Sequence, residues 1–334
     1  MITVAINGFG RIGRAAFKAI HERDDLRVVA INDLTDARTL AHLLAHDTAY
    51  GAYDADVTAE EGVIIVDGER YEVLSQPDPS ALPWKEYGVD VVLECTGRFV
   101  RDGAARAHID AGARRVVLSA PAKGSGDVNT FVLGVNHDAV DANDDVVSNA
   151  SCTTNCIAPV VAVLQETFGI RKALMTTIHS YTADQRLQDA PHRDLRRSRA
   201  AAQNIVPTTT GAAVATTAVV DGLTGKFDGI SVRVPTLVVS LADCTFLLDR
   251  TVTAEEINTA LSEAAQSPRY DGILAVTDAP LVSSDFIGAT YSGIVDLSMT
   301  TVVDGDLVKV VVWYDNEQGY AHRLVDMAAH VMTR

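Results

Sequence analysis

Thr3–Arg23, TVAINGFGRIGRAAFKAIHER, is followed at Leu26–Asp33 by LRVVAIND, and together they set the architecture of the N-terminal half. TVAIN is a short β-rich run, the glycines after it make a turn, and the residues from Arg11 enter a helix. LRVVAIND is a second hydrophobic strand that ends in polar residues, so the segment reads as a βαβ unit. Gly8, Gly10 and Gly13 fit G-x-G-x-x-G directly after the strand and at the helix start. The first glycine permits the turn, the second lets the backbone approach a pyrophosphate, and the third lets helix pack on strand. Asp33 lies twenty residues beyond Gly13, where a carboxylate accepts hydrogen bonds from ribose hydroxyls. An ordinary glycine turn with a loop aspartate is the alternative, and the surrounding strands and helix favour a dinucleotide. The same carboxylate repels a 2′-phosphate, which favours NAD over NADP.

Strand–helix alternation continues through DVVLECTG (residues 90–97), the helical stretch RDGAARAHIDAG (101–112) and RRVVLSAP (114–121). Hydrophobic strands ending in small residues, with helices between them, predict a doubly wound parallel sheet, the Rossmann architecture, over residues 1–150. After about residue 150 the pattern changes. ALMTTIHSYT, GISVRVPTLVVSLADCTFLLD and DLVKVVVWYD are longer and often alternate apolar with polar residues. They predict an α+β catalytic domain over 151–315, built on a mixed, largely antiparallel sheet.

A chain of 334 residues, 47% hydrophobic and 22% charged, has the size and composition of a two-domain globular enzyme. Its formal net charge of −16 argues against a dedicated nucleic-acid or membrane partner, because anionic polymers and lipids are repelled at long range. One basic run, HRDLRRSRAA, stands against that background as a solvated face, a subunit contact or an anion site. The N-terminus carries no basic start or small-residue cleavage site, and no eighteen apolar residues run together, so a cytoplasmic location is expected. Cys95, Cys152, Cys156 and Cys244 form no CxxC pair and are too sparse for a disulfide framework.

SNASCTTNC (148–156) places Cys152 after cap-forming residues and before the apolar run Ile157–Leu164, hence near a helix N-terminus. Unpaired N–H groups and the helix dipole favour a thiolate there, the form that attacks electrophiles. A small buried cysteine at a tight turn is the other reading. His179 follows by 27 residues, enough for a helix, a turn and a returning strand. An imidazole so placed can hold the thiolate and exchange a proton with substrate, although a strand histidine is often structural. His42 and His46 have a metal-compatible spacing, but AHLLAH lacks the glutamate of H-E-x-x-H, and no metal is expected.

INGFGRIGR, NDLTD, ECTGRF, SAPAK, SNASCTTNC, TTIHSYT, PHRDLRR, NIVPTTTGAA, VRVPT and WYDNE, in this order across the chain, resemble the phosphorylating glyceraldehyde-3-phosphate dehydrogenases. The resemblance implies that Cys152 adds to an aldehyde and His179 activates it. It places the dinucleotide on Gly8, Gly10, Arg11, Ile12 and Gly13, on Asp33, Thr96 and Ser119, and its nicotinamide amide on Asn316. Thr182 and Arg233 would hold the sugar phosphate. Ser151, Thr153, Arg199, Thr210 and Gly211 belong to the region shared by sugar phosphate and attacking inorganic phosphate. The implied reaction converts D-glyceraldehyde 3-phosphate to 1,3-bisphosphoglycerate through a thiohemiacetal and a thioester, in glycolysis or gluconeogenesis. A C-terminal helix at about 316–334 is expected to return to the first domain, and the assembly to be a homotetramer. Val214, Leu237, Val238 and Gln318 depart from the family pattern, touching subunit packing, anion-site electrostatics and the shape of the nicotinamide pocket rather than an assigned group; Pro191 agrees with Asp33 in favouring NAD. The alternatives are an erythrose-4-phosphate dehydrogenase that releases a free acid, and a noncatalytic NAD-binding redox sensor.

Overall fold

The computed structural model describes residues 1–334. The chain divides into two units. One comprises Met1–Phe131, Asp138–Ala150 and Ala321–Arg334; the other comprises Val132–His137 and Ser151–Tyr320.

The first unit is built on a nine-stranded sheet. Seven strands pair in parallel in the order Asn129–Thr130, Val146–Ser148, Arg115–Leu118, Val91–Glu94, Ile2–Asn7, Leu26–Asn32, Glu69–Leu74. Val63–Val66 and Val57–Glu60 extend that edge antiparallel. All four residues of Val91–Glu94 are buried, as expected of a parallel strand covered on both faces. The chain grows outward from Ile2–Asn7 to Leu26–Asn32, then returns to place Val91–Glu94 on the other side. The order thus reverses between Ile2–Asn7 and Val91–Glu94, and ligands of open α/β sheets bind in the crevice at the carboxyl ends beside such a reversal. Helix Arg11–His21 buries Ala15, Ala16, Phe17, Ala19 and Ile20 on one side. The stretch 101–112 is less helical than its composition suggested, with a 3-10 turn at Ala104–Arg106 and a short helix at Ala107–Asp110. Gly103 and Gly112, both at positive φ, bracket it. From the C-terminal helix Gln318–Val331, residues from Ala321 onward cluster with this unit, where Asp326 accepts a hydrogen bond from Arg23.

The second unit carries a seven-stranded sheet in the order Val206–Thr209, Phe227–Val234, Ile170–Ser180, Ser240–Leu248, Leu307–Tyr314, Gly293–Val303, Leu274–Thr277. Two neighbouring pairs are parallel and the other four antiparallel, so the sheet is mixed and largely antiparallel. Helix Cys152–Phe168 is buried without interruption from Thr153 to Leu164, which explains why its sequence is apolar all round rather than amphipathic. Its first residue is the candidate nucleophile. No helix is long and apolar enough to cross a membrane.

Candidate active site

In the first unit the glycine turn has the tightness its spacing implied. Gly8 sits at φ +93°, and a Cβ there would lie 2.8 Å from the backbone nitrogen of Thr96. A Cβ at Gly13 would lie 2.1 Å from the Gly8 carbonyl oxygen, so the helix packs on the turn only because residue 13 has no side chain. Gly10 has open space around it and begins helix Arg11–His21 without a side-chain cap, so the positive end of the helix dipole lies at the glycine turn, where it favours an anion. A cleft of about 290 Å³ opens here, lined among others by Gly8, Gly10, Asp33, Cys95 and Thr96. The Asp33 carboxylate accepts from the N–H groups of Phe9 (2.8 Å) and Thr35 (2.9 Å), tying the second strand end to the glycine turn. Arg11 pairs with Asp47 and lies over the Tyr50 ring, and Ile12 is half-buried. Ser119 donates its backbone N–H to the Glu94 carbonyl at the neighbouring strand end. The cradle, the open helix start and the carboxylate suit a dinucleotide. His42 and His46 are exposed, their rings 4.9 Å apart, and no cluster of three or more metal-ligating side chains exists.

In the second unit Ser151 caps helix Cys152–Phe168, its Oγ accepting from the Thr154 N–H at 3.1 Å. Cys152 is therefore the first helical residue. Its Sγ lies 3.6 Å from Nε2 of His179. His179 stands on strand Ile170–Ser180 directly opposite Arg233 on Phe227–Val234. The Nδ1 of His179 is 2.6 Å from the Ser180 carbonyl oxygen. Nδ1 also lies 3.0 Å from Arg233 Nη1, which only donates; the shorter contact is to the carbonyl, which only accepts, and assigning the Nδ1 hydrogen to it leaves the Nε2 lone pair facing the thiol. Arg233 donates to the same carbonyl at 3.1 Å, and its buried Nε has no hydrogen-bond partner. An unpartnered guanidinium N–H beside a nucleophile is what an anionic substrate would satisfy.

The proton balance differs from the standing thiolate read from the sequence. Burial pushes the Cys152 thiol up, against the lowering effect of Arg233. Burial, and then Arg233, push the His179 imidazole down to about 3. The resting pair is therefore a thiol facing a neutral imidazole; as the proton passes from Sγ to Nε2, the helix N-terminus and the Arg233 charge stabilise the thiolate, and the thiolate offsets the cost of the imidazolium. Cys95, Cys156 and Cys244 have no histidine contact of this kind, and burial pushes each of their thiols up.

The remaining predicted residues divide. Thr153 turns its hydroxyl to Tyr314 (2.9 Å) and lies 4.0 Å from Sγ. Thr182 is half-buried just past the strand that carries His179. Thr210 and Gly211 follow strand Val206–Thr209, whose Val206 pairs with Arg233, and Thr210 Oγ1 accepts from the Ala212 N–H. Asn316 is buried, its Oδ1 accepting from Ser240 at 3.0 Å. Arg199 is exposed and bonded to Asp189 at 2.8 Å, so the structure does not bring it to the site. Arg197, two residues earlier, is the arginine of the run whose charge reaches the site. It bonds Asp184, Thr208 and the Thr209 carbonyl, and its charge opposes protonation of both His179 and Arg233. The run folds as turns rather than a helix, so no periodicity marked which arginine faces inward.

Two further features escaped the sequence reading. The Tyr314 hydroxyl bridges Thr153 (2.9 Å) and Thr177 (2.8 Å), joining the thiol-bearing helix to the imidazole-bearing strand. Val239 adopts φ +70°, a strained conformation for a β-branched residue, and its carbonyl accepts from Ser180 Oγ at 2.7 Å. That hydrogen bond steadies the residue whose own carbonyl orients His179.

Comparison with known proteins agrees with this geometry. The family model for the glyceraldehyde 3-phosphate dehydrogenase NAD binding domain matches residues 2–102, and that for the C-terminal domain matches 151–316. The chain is 52% identical over 334 residues to the glyceraldehyde-3-phosphate dehydrogenase of Geobacillus stearothermophilus, covering 100% of this chain and 99% of the relative. It is 51% identical over 335 residues to glyceraldehyde-3-phosphate dehydrogenase 1 of Bacillus cereus, with coverage of 100% and 99%. With the corresponding enzyme of Streptomyces coelicolor the identity is 52% over 332 residues, covering 99% of this chain and 98% of that one. A nucleotide cradle in one unit, a thiol–imidazole pair in the other and matches spanning both place the chain in the glyceraldehyde-3-phosphate dehydrogenase family.

Proposed function

We propose that the chain catalyses the NAD-dependent oxidative phosphorylation of D-glyceraldehyde 3-phosphate to 1,3-bisphosphoglycerate. The observation that carries the reading is the Cys152–His179 contact of 3.6 Å beside Arg233. Cys152 gives its proton to Nε2, and Sγ adds to the aldehyde carbon as His179 returns the proton to the new alkoxide. The product is a thiohemiacetal. Backbone N–H groups at the helix start steady the oxyanion on the way. His179 then removes the hydroxyl proton, and NAD, when bound, supplies the hydride acceptor that makes the thioester. Phosphate attacks the thioester carbon, the C–O bond forms as the C–S bond breaks, and Cys152 leaves as a thiolate. Arg233 holds the phosphate of the sugar and Arg197, with Thr210 and Gly211, contributes to the region for the attacking phosphate. Asp33 anchors the adenine ribose.

The test is NADH formation from glyceraldehyde 3-phosphate with and without inorganic phosphate. Sustained turnover only with phosphate is expected; equal turnover without it would assign the chain to a relative that releases a free acid. A homotetramer in the cytoplasm belongs to the same proposal. One face of the seven-stranded sheet supports the assembly, since Leu174, Ile230, Val303 and Leu307 are exposed there beside an apolar cleft of about 430 Å³.

A further inference from the structure

Beneath the cofactor cleft lies a buried carboxylate with no cationic partner. Glu94 is 1% exposed, at the end of strand Val91–Glu94 and paired in register with Asn7. Its Oε1 accepts from the N–H (2.8 Å) and the hydroxyl of Thr96. Its Oε2 accepts from Nδ2 of Asn7 at 2.5 Å and faces Nε2 of fully buried His108 at 3.1 Å. The indole N–H of Trp84 donates to His108 Nδ1 at 2.9 Å. Indole is only a donor, so Nδ1 accepts and Nε2–H donates to Glu94. Every position around the carboxylate is thus a donor.

The network continues toward the cleft. Asn7 Oδ1 accepts from Asn32 at 2.6 Å, Asn32 Oδ1 accepts from the Gln76 N–H at 2.9 Å, and Asn7, Asn32, Gln76 and Thr96 all line the cleft. Thr96 is also the residue whose backbone nitrogen limits the space at Gly8. One oxygen of Glu94 therefore holds each of the two strand ends between which the strand order reverses. Burying a carboxylate carries a desolvation cost that an apolar core residue would not. Its arrangement serves the cleft rather than the packing.

We infer that Glu94, oriented by His108 and Trp84, is a positioning residue that sets the width of the dinucleotide cleft through Thr96 and Asn7. The inference rests on the reading of this cleft as the NAD site. Glu94→Gln keeps the shape but turns an amide N–H2 toward one pair of donors. It is expected to raise the KM and the calorimetric Kd for NAD about tenfold, to leave kcat at saturating NAD within about twofold, and to leave the alkylation rate of Cys152 without NAD unchanged. Trp84→Phe keeps the aromatic core, frees His108 to take the other tautomer, and is expected to raise the same constants about threefold. Should Glu94→Gln fail to fold, Trp84→Phe decides. Asp33→Gly is the control for the cleft. Weakened NAD binding in that control, with normal binding in the Glu94 or Trp84 variant, overturns the inference alone. Normal binding in all three overturns the cleft reading and the inference with it. A fall of kcat at saturating NAD with KM unchanged also overturns the positioning role.

Discussion

His179 is held neutral by what surrounds it. Burial comes first and the Arg233 charge second in pushing the imidazole down to about 3, whereas the unfolded chain binds that proton near 6.5. The sign follows: below about 6.5 the unfolded state takes up a proton that the folded state refuses, so stability present at neutral pH is lost as pH falls from 6.5 toward 3. At pH 5 the loss is roughly 2 kcal/mol. Denaturant midpoints measured at pH 7 and pH 5 should therefore fall less in His179→Asn than in the parent; parallel falls would show that another group governs the slope. The two arginines of the basic run make a second test at this scale. Arg197→Ala removes a guanidinium whose charge reaches His179 and Arg233, and should raise the KM for inorganic phosphate about tenfold or more. Arg199→Ala removes only an exposed pair with Asp189, which solvent screens, and should leave kinetics near the parent values. The reverse ranking in steady-state assays would restore Arg199 to the site.

Among the elements, the decisive junction is the start of helix Cys152–Phe168 against strand Ile170–Ser180. Tyr314, from the strand Leu307–Tyr314, fastens them by bonding a hydroxyl on each. Tyr314→Phe leaves Thr153 and Thr177 without that partner, costing about 1–2 kcal/mol of stability. It should lower kcat more than it changes the KM for aldehyde, because the thiol–imidazole spacing loosens while the anion-binding side chains remain. A thermal melt and kinetics on one preparation check both parts, and a pure KM effect would count against the bridge. The elements differ in how much their sequence disclosed. Gly8, Gly10, Gly13 and Asp33 could be read because their spacing has one geometric use after a strand, and Cys152 because cap residues precede an apolar run. Tyr314, Glu94 and His108 could not, because hydrogen bonds between residues 14 to 161 positions apart leave no local pattern. The basic run was ambiguous for a related reason: in a segment of turns, side-chain direction follows individual backbone angles rather than a period.

At the scale of the whole molecule, composition and alternation were sufficient to separate a parallel-sheet unit from one with a mixed sheet, since parallel strands buried on both faces and half-exposed antiparallel strands carry different patterns. The edge hairpin Val57–Val66 was not read, being short and half-exposed. The uncovered face of the seven-stranded sheet gives the assembly its test. Leu174→Asp with Ile230→Asp places charges on exposed apolar positions, 67% and 49% accessible, and should shift sedimentation from tetramer toward smaller species. Unchanged sedimentation would remove that face from the interface. If the mechanism holds, Cys152 becomes acylated during oxidation of the aldehyde. Rapid mixing of enzyme and NAD with glyceraldehyde 3-phosphate, without inorganic phosphate, should give a burst approaching one NADH per chain, and acid quenching followed by peptide mass analysis should place the acyl group on Cys152. No burst, or an acyl group on Cys156 or on no cysteine, would contradict the account.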